Sequence, residues 1–312
     1  MTETAKGLIA MFVACAIWGF SSLYYNALSE VPPMEVLAHR SFWSFVFLLA
    51  VLAKQGRVRE LWDLCRDRPM IVRVALSAAL ISVNWFLFIF AVQTGRLVDS
   101  SLGYFIYPLL AVLLGAFVLG EKLAPLKWFA VALAGGAVIW LTIGLGATPW
   151  IALMLASTFA LYGLIKKQIS AGPVVSVTGE VFLMLPLVVF WLFAAHVWGW
   201  QPIGPQEAGG FGRDTQTTLL LMLAGPMTGG PLLMMSYALK RVSMVSAGLV
   251  AYTNPSLQFL LAITVLGEAV TRYHLVAFPI IWFALGIYTW VSFAEERSLR
   301  KAARKSETVP TS

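Results

Sequence analysis

The chain has 312 residues, of which 59% are hydrophobic and only 12% charged, and its mean hydropathy is +0.81. So little polar surface cannot coat a soluble globule of this size, and the chain reads as an all-α polytopic membrane protein with membrane lipid as its partner. The formal charge of +7 is first explained by loops held on the cytoplasmic side of a bilayer, so no nucleic-acid partner is expected.

A bilayer core of about 30 Å takes roughly 20 apolar residues per helix. In chain order the apolar runs 7–28, 34–53, 71–92, 97–119, 126–144, 149–165, 175–197, 217–239, 244–266 and 273–293 predict ten spans. The first follows only Lys6, is longer than a signal-peptide core and leads straight into further spans, so it reads as a retained helix. Cys15 in that run and Cys65 in a basic loop imply no disulfide framework. Gly225, Pro226, Gly229, Gly230 and Pro231 predict an interruption in the eighth span.

Alternate loops sort the basic residues. One side holds Lys6, the loop from Lys54 to Arg73, Lys122 and Lys127, Lys166 and Lys167, Lys240 and Arg241, and the tail from Arg297 to Lys305; the other holds only Arg96, Arg213 and Arg272. This asymmetry places both termini in the cytoplasm. The basic loop 54–73 needs no lipid or nucleic-acid site to explain it.

The sequence also repeats itself. Tyr107-Pro108 followed by Gly120-Glu121 returns as Asn254-Pro255 followed by Gly267-Glu268, and 255−108, 267−120 and 268−121 each give 147. Each copy holds five spans, so the second must enter the membrane inverted relative to the first, as in many secondary transporters. The predicted organisation is a first five-helix repeat over 7–144, a second, inverted one over 149–293, and a basic cytoplasmic tail over 294–312.

The fourth and ninth spans, each with a proline and each closing on Leu-Gly-Glu, resemble the drug/metabolite transporter superfamily and its EamA-type repeats. Leu37-Ala38-His39-Arg40-Ser41-Phe42-Trp43-Ser44-Phe45, Asn84-Trp85-Phe86-Leu87-Phe88-Ile89 and Ser101-Leu102-Gly103-Tyr104-Phe105-Ile106-Tyr107-Pro108-Leu109 look like the RarD branch of that group. The resemblance covers nearly the whole chain and implies a bacterial-type inner-membrane permease of small organic solutes or metabolites. The breaker-rich run 225–231 departs from the family pattern.

Candidate site residues follow from depth and chemistry. Proline lacks an amide hydrogen, so Pro108 should free the carbonyl of Tyr104 and Pro255 that of Ala251, both near the midplane, where bare carbonyls are tolerated only against protein or a watery cavity. This points to a substrate site between spans four and nine that includes Asn254. Trp18, Trp85, Tyr104, Tyr107, Tyr162, Tyr237 and Tyr252 fall deep enough to line it, and Asn84 suits either a solute ligand or a bridge between helices. His39, Arg40 and Glu180 are ionisable groups inside spans, expected to serve gating or proton coupling. Arg40 lies about six residues from the outer face and Glu180 about five from the inner, an offset of roughly 10 to 15 Å that favours separate roles. Glu121 and Glu268 are expected in interfacial turns as solvated carboxylates after helix-capping glycines.

The function expected is a secondary permease working by alternating access. The alternative is a channel-like pore for a small solute or ion. No His-Glu-x-x-His, no Ser/His/Asp grouping at one depth and no ATP-binding loop stand in the sequence, so no enzyme activity, cofactor or metal is expected. With Arg40 the one buried cation foreseen, the substrate class is neutral, zwitterionic or amphipathic. Either a monomer or a homodimer fits the pattern.

Overall fold

The structure is a computed structural model that describes residues 3–120, 123–146, 149–166, 168–198, 200, 209–239, 241–242 and 250–307. Its elements are α1 (Glu3–Asn26), α2 (Pro33–Lys54), α3 (Val58–Arg66), α4 (Arg68–Gln93), α5 (Leu97–Leu119), α6 (Pro125–Leu145), α7 (Trp150–Lys166), α8 (Pro173–Val197), α9 (Thr215–Leu239), α10 (Thr253–Thr264) and α11 (Arg272–Glu307). No strand occurs among the described residues. Helices dominate because a backbone in hydrocarbon must satisfy its own N–H and C=O groups.

Local chemistry marks the helix ends. Pro33, Pro125 and Pro173 open α2, α6 and α8, where the missing N–H would be unsatisfied in any case. Asp67 caps α4 by accepting from the Met70 N–H at 3.1 Å, and Asp214 caps α9 through Thr217 at 2.7 Å. The Thr217 N–H holds the Asp214 carboxyl below its usual range. Gly120 and Gly146 close α5 and α6 at φ of 67° and 64°, left-handed values that favour glycine.

Eight helices, namely α1, α2, α4, α5, α6, α8, α9 and α11, are long and apolar enough to cross a membrane. Ten were expected. α7 coincides with the sixth expected span but has 17 residues. The ninth is seen as helix at 250–251, a turn at Tyr252 and then the 12 residues of α10; its expected start at 244–249 lies outside the described residues, as do Glu121, Lys122, Lys167 and Lys240. α11 continues without a break to Glu307, so much of the expected tail 294–312 is helix.

One element was not foreseen. The basic loop holds the short amphipathic α3, which buries Leu61 and Leu64 and leaves Trp62 exposed; Leu64 reaches α8 at Gly179. A nine-residue helix with charges on one face reads in the sequence as a charged loop.

The helices pack in an exchanged pattern. α1 lies on α9 and α10, while α7 lies on α4 and α5; α2 packs on α8 and α9, α4 on α7 and α8, and α6 on α11. The main core draws Tyr25, Phe88, Phe105, Leu155, Leu261 and Phe278 from both halves of the chain.

The predicted interruption of the eighth span is corrected. α9 runs unbroken through Pro226 and Pro231. Its glycines serve close approach instead: a Cβ on Gly225 would collide with the carbonyl oxygen of Trp43, and one on Gly229 would stand 2.6 Å from the Phe47 ring. Small residues let helix backbones meet where no hydrophobic effect drives them together. Gly225→Ala should therefore destabilise the protein by about 1–3 kcal/mol through overpacking. Gly136→Ala, where nothing lies within 4 Å, should leave thermal unfolding in detergent unchanged.

Candidate functional site

Three buried polar centres lie among the helices. The first is built on Arg40 in α2. Its side chain is 6% exposed, and its guanidinium carbon stands 4.2 Å from the ring centre of Trp85 in α4 and 5.4 Å from that of Tyr25 in α1. Its Nε and Nη1 have no hydrogen-bond partner among the described residues. Arginine stacks on aromatic faces more readily than lysine, because its charge is delocalised and weakly hydrated. Rings do not replace an anion, so the donors on these two nitrogens are unspent.

Beside it, Tyr104 in α5 donates to the Asn84 side-chain oxygen at 3.1 Å. The Asn84 amide donates to the Leu155 carbonyl at 2.9 Å and to the Thr158 hydroxyl at 3.0 Å, both in α7. Of the two roles left open for Asn84, the structure therefore shows a bridge between α4, α5 and α7. Arg40, Trp85, Tyr104 and Asn84 are brought together; Tyr25, buried and carrying part of the cage, was missed because a tyrosine near a span end reads as an interfacial residue.

The second centre surrounds Glu180 in α8. One carboxylate oxygen accepts from Lys166 Nζ at 2.7 Å and from the Ser77 hydroxyl at 2.6 Å, and the other from the Tyr162 hydroxyl at 3.2 Å. Lys166 also bonds Ser176. Lys166 entered the sequence reading only as a loop charge, yet it is the counter-ion of a carboxylate that is 1% exposed. Arg40 and Glu180 do not pair. They stand at matching places all the same, each seven residues beyond the proline that opens its helix (40−33 and 180−173).

The third centre joins Glu35 and His39 of α2 to His196 near the end of α8. The Glu35 carboxylate accepts from the backbone N–H groups of Gly209 at 2.9 Å and Phe211 at 3.2 Å. His196 lies 157 residues beyond His39, so no local spacing could have revealed this cluster.

The remaining expected site residues divide. α5 and α10 do pack together, with Phe105 stacked on Tyr252 at 6.4 Å and Ser100 donating to Gln258 at 3.4 Å. Pro108 sits inside an unbroken α5. Pro255 falls in the first turn of α10, where a missing N–H costs little. The Asn254 side-chain oxygen accepts from the Gln258 amide at 2.9 Å. Tyr107 meets Phe159 at 4.7 Å, and Trp18 is half-buried on α1. Tyr237, in the last turn of α9, is 40% exposed with the Arg241 guanidinium 3.6 Å above its ring. Tyr252 lines an open groove of about 640 Å³ with Phe259, Trp282 and Trp290; its apolar walls suit lipid chains, and none of the three polar centres opens into it.

Glu268 is also corrected. Instead of a solvated carboxylate it is a partly buried cap, accepting from the N–H groups of Leu97 at 2.7 Å and Val98 at 2.8 Å at the start of α5. Burial pushes its carboxyl above the ordinary range, against the opposing pull of those two N–H groups. Orphan donors at a helix N-terminus attract a carboxylate from another segment as readily as from their own.

Helical membrane architecture with buried polar centres defines a multi-pass membrane protein, and comparison with known proteins places it. The EamA-like transporter family matches residues 5–143. The chain is 38% identical over 293 residues to the uncharacterized transporter YojE of Bacillus subtilis, covering 92% of this chain and 95% of that one. It is 35% identical over 300 residues to protein RarD of Escherichia coli, covering 96% and 99%. A solved protein structure with 20% sequence identity superposes with a TM-score of 0.60 over 92% of this chain and 98% of its own, which shows the shared fold. The chain belongs to the EamA-like transporter family, as a RarD-like drug/metabolite transporter.

Removing one member of a buried ion pair strands the other charge. Lys166→Met should cost about 3–5 kcal/mol of stability in detergent, and adding Glu180→Gln should restore part of that loss. Additive losses in the double variant would show that the two groups are not coupled.

Proposed function

We propose that the protein is a secondary permease of the inner membrane that moves a small organic solute by alternating access between two inverted five-helix halves, 7–144 and 149–293, with both termini cytoplasmic. The exchanged packing supports this reading, since α1 on α9 and α10 mirrors α7 on α4 and α5, as two equivalent halves related by a two-fold axis require. The sorting of basic residues supports the orientation.

The observation that carries the reading is the buried Arg40 with unspent donors beside Trp85, Tyr25 and Tyr104. A charge at this depth is retained for a partner, and a solute bearing one carboxylate or similar anionic group supplies it, its apolar part lying on the rings. A zwitterionic or amphipathic solute with one anionic group is the substrate class. Glu180, at the matching place on the inverted half, is held by Lys166 and acts at the inner gate. Proton coupling through Glu180 requires that bridge to open.

In proteoliposomes offered zwitterionic, monocarboxylate and neutral solutes, saturable uptake should favour those with one anionic group. Arg40→Gln should raise KM about 10- to 150-fold, the worth of a charged hydrogen bond of about 1.5–3 kcal/mol. Uptake of neutral solutes alone, unaffected by Arg40→Gln, would remove Arg40 from the site. Unchanged pH dependence of uptake in Glu180→Gln would exclude that residue as a proton carrier. Tags on the two termini should both be protected in right-side-out vesicles, and one accessible tag would break the inverted-repeat scheme.

A further inference from the structure

We propose that Glu35, His39 and His196 form a binding site for a divalent transition metal of the zinc class, joining α2, α8 and the segment 209–211. The donors converge. His196 Nε2 stands 3.8 Å and His39 Nε2 4.0 Å from the same Glu35 Oε1, and one ligand atom from each residue lies within 4.8 Å of the others. Zinc bonds of about 2.0–2.1 Å place tetrahedral donors about 3.3 Å apart, so small side-chain rotations close the set. Two imidazoles with one carboxylate suit zinc, nickel or cobalt, and disfavour calcium and magnesium, which take oxygen ligands.

The surroundings orient each ligand as a metal requires. His196 Nδ1 lies 2.9 Å from the Leu192 carbonyl, so in the neutral ring Nδ1 donates to it and Nε2, on the Glu35 side, is free to bind a metal. Across 3.8 Å this nitrogen and the Glu35 carboxylate can share a cation, either a proton or a metal ion. The His39 ring is 5% exposed, stacks on Phe211 at 4.8 Å and 16°, and has no hydrogen bond at either nitrogen among the described residues. Glu35 is fixed by the Gly209 and Phe211 N–H groups and keeps a lone pair on Oε1 for a metal. Arg40 turns its charge onto Trp85 and Tyr25 instead. The His196 side chain, 29% exposed, leaves a path of entry. Three protein ligands leave a fourth position for water, and the bound ion ties the end of α8 to α2.

The test uses the full chain in detergent, with its affinity tag removed and metals stripped by a chelator, titrated with Zn²⁺ against a chromophoric competitor and with Co²⁺ by visible absorption. One equivalent should bind, with the Co²⁺ spectrum of a four-coordinate site. His39→Ala and His196→Ala should each weaken binding at least tenfold. His274→Ala, the remaining histidine of the three in the chain, should have no effect. Glu35→Gln also loosens the 209–211 segment, so His196→Ala, on a partly exposed side chain, carries the test independently of folding. Absence of saturable binding, or equal affinity in a His39→Ala/His196→Ala double variant, would overturn the site. Neither result touches the Arg40 reading, which is measured by uptake.

Discussion

The constraint on which the structure turns is the cost of a charge in a medium that cannot hydrate it. Each buried ionisable group has to be answered by something, and the answers differ. Glu180 is answered within the protein by an ammonium and two hydroxyls contributed by α4 and α7. Glu35 is answered by two backbone N–H groups. Arg40 lies on aromatic faces, and its Nε and Nη1 find no partner among the described residues. A permease needs this unevenness, because a site satisfied by its own residues leaves nothing for a solute to add.

The same constraint explains what the sequence disclosed and what it withheld. Span positions follow from hydropathy alone, and eight of the ten expected runs have a helix at their place within a few residues at both ends. The burial of His39, Arg40 and Glu180 was legible because charges inside apolar runs are conspicuous. Their partners were not. Lys166 and Ser77 reach Glu180 from α7 and α4, and His196 reaches Glu35 from α8, so each pairing depends on which helices lie side by side. Glu35 escaped notice for a simpler reason: three residues past Pro32, it reads as the first turn of a helix, where a carboxylate is ordinary.

Glycine and proline were the least faithful signals. In water the run 225–231 would break a helix, but in the bundle α9 stays intact and its glycines become the surface on which α2 lies. Freed carbonyls are tolerable where neighbouring helices cover them, so membrane helices carry prolines that soluble ones reject. Pro108 and Pro255, identical in the repeat, illustrate the dependence on context: one lies within a continuous helix and the other in a first turn. Sequence equivalence predicted a freed carbonyl at both places, whereas helical continuity differs around the two prolines.

That difference bears on how the proposed transport cycle is biased. Two inverted halves with identical packing would hold the outward and inward states at equal energy, and a solute would shift neither. Among the described residues one half carries a cation with unpaired donors and the other, at the matching place, a compensated anion. An anionic solute adds stabilisation only where Arg40 can reach it, while Glu180 keeps its partners until Lys166 moves. The third centre lies on α2 immediately before Arg40, with His39 as its neighbour in sequence, and joins that helix to α8, the helix of Glu180. A bound metal there would act on the packing of α2 against α8, a contact that the proposed exchange of access would have to change, without touching the solute itself.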